Sequence, residues 1–63
     1  MKSFKEMTRE QLARLIVMDQ VVRGVISMKN AKMQVKIRLE GGFGVKPMTK
    51  SEMVNYCEKT FNN

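Results

Sequence analysis

Six cations, Lys29, Lys32, Lys36, Arg38, Lys46 and Lys50, lie between positions 29 and 50 against one acid, Glu40. The chemistry open to such a set is electrostatic: fixed positive charge in one region attracts phosphates. Within it, residues 33–39 read Met-Gln-Val-Lys-Ile-Arg-Leu, apolar and polar in strict alternation. A period of two sends successive side chains to opposite faces of a β-strand. Met33, Val35, Ile37 and Leu39 are then expected to face a core, and Gln34, Lys36 and Arg38 to form a basic outer face.

Next to this segment, Phe43 stands between Gly42 and Gly44. An exposed aromatic beside Arg38 and Lys46 is placed to stack on a base; the alternative is that it folds back onto the core. The glycines have backbone N–H groups that can cradle a phosphate. No Gly-Lys-Ser/Thr follows them, so a P-loop is excluded and a tight hairpin turn is the simpler reading. Arg9 and Lys50 fall at the first position of expected helices, where the macrodipole disfavours cations. A surface tolerates this, and the alternative is an anion site, for which Lys50 with Lys46 is the better candidate.

Catalytic constellations are missing. With no histidine, neither a Ser-His-Asp nor a Cys-His arrangement exists within the chain. Cys57 falls on the apolar side of an expected helix, which favours an inert thiol. The six acids are scattered, and Glu10 and Glu52 have structural uses at helix starts. The chain is therefore expected not to be an enzyme and to carry no cofactor and no metal.

At 63 residues the chain is one domain, 1–63, of a size that buries only about 60% of its unfolded surface. One cysteine allows no internal disulfide and points to a reducing compartment. A homodimer is the expected route to extra stability. The mainly apolar run 12–28 is interrupted by Arg14, Asp19, Gln20, Arg23 and Gly24. It is too polar for a membrane span, and no secretory leader is evident. A cytoplasmic protein without a membrane partner is expected.

The elements that must position these residues are bounded by two matching signals. Thr8 with Gln11, and Thr49 with Glu52, have capping-box spacing, and Met7/Leu12 and Met48/Met53 have that of hydrophobic staples. A first helix is expected over 9–28, with Leu12, Leu15, Met18, Val22 and Val25 as its apolar stripe and Ile26 beside it. Ile16, Val17 and Val21 spill onto other faces. Asp19 and Arg23 are spaced to pair. The β-branched run 21–26 around Gly24 allows a strand there instead. The strand 33–39 follows, then a hairpin at Gly41-Gly42 with a short second strand at Val45-Lys46. A last helix is expected over 50–60, with Met53, Val54, Cys57 and Phe61 as its apolar face and Tyr56 at the margin. The fold class is α+β, ordered α-β-β-α. The strand is expected to pair with 43–46, with 21–26, or with its counterpart in a second copy.

The stretches 1–7 (Met-Lys-Ser-Phe-Lys-Glu-Met) and 56–63 (Tyr-Cys-Glu-Lys-Thr-Phe-Asn-Asn) give the chain a resemblance of style to the small early accessory proteins of T-even-like phages. The resemblance implies a protein that disarms a host component, such as a defence nuclease, a toxin RNase or the transcription machinery. No functional residue is carried over from it.

The function expected is binding of nucleic acid, RNA ahead of DNA, with weak sequence preference. Lys29, Lys32, Lys36, Arg38, Lys46 and Lys50 are the phosphate contacts and Phe43 the stacking residue. The alternative is an inhibitor that docks its basic face or Met-rich helix on an acidic host protein.

Overall fold

A computed structural model describes residues 3–62. The two capping boxes form as the sequence requires. The Gln11 N–H donates to Thr8 Oγ1 at 3.1 Å, and the Thr8 N–H to Gln11 Oε1 at 3.0 Å. The Glu52 N–H donates to Thr49 Oγ1 at 3.2 Å, and the Thr49 N–H to Glu52 Oε1 at 3.1 Å. Each box satisfies two of the N–H groups that a helix start leaves without partners. Helix α1 (Arg9–Val22) follows Thr8, and α3 (Lys50–Phe61) follows Thr49.

Between them lies a third helix, α2 (Ala31–Glu40), entered through a 3-10 turn at Met28–Asn30. This overturns the α+β expectation: the described residues form a helix-only fold without a strand. The alternating segment 33–39 is inside α2. Its composition explains why. Met, Gln, Lys, Arg and Leu are good helix formers, and only Val35 and Ile37 are β-branched. Met33/Ile37 and Val35/Leu39 are spaced four apart, so the same apolar residues also share helix flanks. The expected second strand at Val45-Lys46 shrinks to one antiparallel bridge, Gly42 with Val45.

Helix α1 ends at Val22 rather than Met28, and 21–26 is not a strand. Gly24 is the reason. At φ +80° it donates to Val21 O at 3.0 Å, while the Val25 N–H donates to Gln20 O at 2.9 Å. These are the paired bonds of a Schellman C-cap.

Helix α1 packs against both α2 and α3. Leu12, Ala13 and Ile16 meet Met53, Val54 and Cys57 in the core, and Val17 and Ile37 are also buried. The inward arc thus includes Ile16 and Val17, while Met18 and Val22 of the expected stripe face solvent. The last helix keeps its expected apolar face at Met53, Val54 and Cys57, with Phe61 partly exposed and Tyr56 half-buried. The Phe61 ring lies 6.1 Å from that of Phe4, which brings the first 3-10 turn, Phe4–Glu6, onto α3.

Arg9 has a use that its position in the sequence does not announce. Its Nη2 donates to Leu39 O at 3.0 Å and to Met48 O at 2.7 Å. A cation at the carbonyl end of α2 is favourable, so the guanidinium joins the start of α1 to the exit of α2. No helix among the described residues is long and apolar enough to cross a membrane.

Candidate nucleic-acid interface

The change from strand to helix redistributes the basic residues. In a strand Lys36 and Arg38 share a face; in a helix two residues apart means about 200° around the axis. Lys32 and Lys36 are one turn apart on the exposed side of α2, and Lys29 is exposed in the 3-10 turn that leads into it. Arg38 turns inward instead. Its Nη2 donates to Gln20 Oε1 of α1 at 2.6 Å and its Nη1 to Gln34 Oε1 at 3.0 Å. Its Nε is buried without a hydrogen-bond partner.

Three separate surfaces result. In the first, Lys32 and Lys36 face Arg14 of α1 across a groove of about 520 Å³, floored by Val17, Val35 and Leu39. Arg14, which sequence reasoning passed over, pairs with Glu10 at 2.5 Å and stays exposed. Glu40 is the only acid lining this groove. In the second, Arg38, Phe43 and Lys46 line a cavity between α2 and the connection to α3. Phe43 does not fold back onto the core; it is 85% exposed. In the third, Lys50 lies beside Lys5 and Glu58 along α3. The N–H groups at the start of that helix include one already taken by Thr49, which leaves less for an anion. The single basic sheet face expected from the sequence is thus replaced by a lysine side of α2 and two smaller basic sites.

The acids explain which cations remain available. Asp19, with only 11% of its side chain exposed, pairs with Arg23 at 3.2 Å and accepts from the Tyr56 hydroxyl at 3.3 Å. Glu10 is held by Arg14. No ion pair engages Lys29, Lys32, Lys36, Lys46 or Lys50 among the described residues. The sequence signals for the missed partners were present: Gln34 and Arg38 have helical i,i+4 spacing, and so do Glu10 and Arg14.

Cys57 is fully buried in the core. Burial pushes its thiol pKa up, and the Asp19 charge adds to the rise. That is the opposite of what a nucleophilic cysteine needs. Among the described residues no group of three or more His, Cys, Asp or Glu side chains is placed to hold a metal ion. No protein-family model, curated protein or solved structure matches the chain.

Proposed function

We propose that this chain is a small, non-catalytic nucleic-acid-binding protein that holds phosphates on the lysine side of α2. One observation carries the reading: Lys29, Lys32 and Lys36 are exposed on or next to a single helix and lack ion-pair partners among the described residues. A solvated surface normally mixes signs, whereas +5 of the net charge of +6 lies in 29–50. Released counterions make such contacts favourable and salt-dependent. Lysine ammoniums on phosphates carry no base information, so sequence preference is weak. RNA is preferred over DNA because exposed Phe43 suits the unpaired bases that RNA offers more often. The style of the chain supports a cytoplasmic accessory role, in which covering RNA would inhibit a host nuclease or toxin RNase.

A second reading is favoured by a different observation. Met18 and Val22 of α1, and Val25 and Met28 in the segment that follows it, are large apolar residues left exposed. Exposed apolar side chains in this number suit protein contacts, with an acidic host protein or a second copy of the chain as the occupant.

Fluorescence anisotropy with a short single-stranded RNA and a DNA duplex, at two salt concentrations, separates the readings. Micromolar or tighter binding that weakens steeply with salt supports the first. No binding at low salt, together with a host-protein pull-down that survives nuclease, supports the second.

A further inference from the structure

Phe43 breaks two local rules at once. It is the one non-glycine residue at positive φ among those described, at 52°, and it is a large apolar residue left 85% exposed. The Gly42 N–H donates to Val45 O at 3.0 Å and the Val45 N–H to Gly42 O at 2.9 Å. The two central residues, Phe43 and Gly44, both have positive φ, the pattern of a type I′ turn. Asn or Gly is the usual first residue of that turn, and a bulky side chain there is strained. A strained, exposed aromatic with no gain in the fold points to a use outside it.

The cavity beside it suggests that use. It has a volume of about 550 Å³, in the range of small-ligand sites. Phe43, Met33 and Val45 give it apolar walls, Gln34, Arg38 and Lys46 give it polar ones, and no acid lines it. An apolar slot with an aromatic and two cations, and no opposing charge, is complementary to a flat ring that carries a phosphate.

We infer that this cavity takes one unpaired nucleobase, its face against Phe43 and its adjoining phosphate on Lys46. The inference rests on the nucleic-acid reading above and adds a choice of single strand over duplex. A base within a duplex is stacked on its neighbours and has no free face for Phe43. Arg38, already held by Gln20 and Gln34, supplies charge at the wall.

The test is anisotropy of the full chain with oligouridylate and with an RNA duplex of equal length, for wild type, F43A, F43L and F43Y. Because Phe43 is exposed, thermal melts of the variants should match wild type. The expected result is a loss of about five- to a hundred-fold for F43A on the single strand, with duplex binding unchanged. F43Y, which keeps a ring, should bind as wild type, and F43L should lose most of what F43A loses. Wild-type binding to the single strand that survives F43A would overturn the base site while leaving the lysine surface standing. Full retention by F43L would also overturn it, since a simple apolar contact is what a protein pocket makes. A wild type that binds neither RNA would overturn the nucleic-acid reading itself.

Discussion

The Arg38 guanidinium donates to Gln20 Oε1 at 2.6 Å, across the interface of α2 and α1. This bond holds Arg38 away from the lysine side of α2 and makes it a structural cross-link at the wall of the Phe43 cavity. A charged donor with a neutral acceptor in a half-buried setting is stronger than an ordinary hydrogen bond. Gln20→Ala should therefore lower stability by about 1–3 kcal/mol, read from urea denaturation. A loss no greater than that of an exposed alanine substitution would show that the bond contributes nothing.

Gly41 should be the least replaceable glycine. An added Cβ would lie 2.9 Å from the Val45 carbonyl oxygen and 2.9 Å from Pro47 Cδ, at φ +81°. Gly24, at φ +80°, would meet nothing within 4 Å. Gly24→Ala should thus cost only the left-handed penalty, about 1–2 kcal/mol, while Gly41→Ala should cost clearly more because backbone must move. Equal midpoints for the two variants in thermal melts would refute the clash.

The buried thiol gives a pH prediction. The folded Cys57 pKa is raised above its ordinary value of 9.0 by burial and by Asp19. The neutral thiol is the form the fold accepts, so this contribution is fully present below pH 9 and is lost as pH rises toward the folded value. Stability should decline above pH 9 more steeply in wild type than in Cys57→Ala. At pH 8 the native thiol should resist alkylation until denaturant unfolds the chain. Rapid native-state alkylation at that pH would contradict the assignment.

The helix boundaries that rest on side-chain-to-backbone chemistry were legible from residue types alone. Thr8/Gln11 and Thr49/Glu52 start α1 and α3 where their spacing says, and the Asp19–Arg23 pair forms. The middle of the chain was not legible from alternation. Over seven residues, 33–39 satisfies period two and also lines both flanks of a helix, so alternation does not choose between them, and helix propensity favours the helix that forms. Gly24 reads as a helix defect until its own N–H and that of Val25 are seen to close the C-cap on Val21 and Gln20. The regional excess of positive charge was visible in the sequence. Its division among Lys32/Lys36, Arg38/Lys46 and Lys50 was not, because that depends on whether two residues apart means the same face or opposite ones.

The lysine surface is tested most directly by the salt dependence of RNA binding for wild type and Lys32→Gln/Lys36→Gln. Both side chains are exposed, so the fold should be unaffected. Binding by the double variant should be weaker, and its slope of log affinity against log salt shallower by about 1.4, the loss of two phosphate contacts on a single strand. Unchanged affinity and slope in the double variant would contradict phosphate binding on that surface.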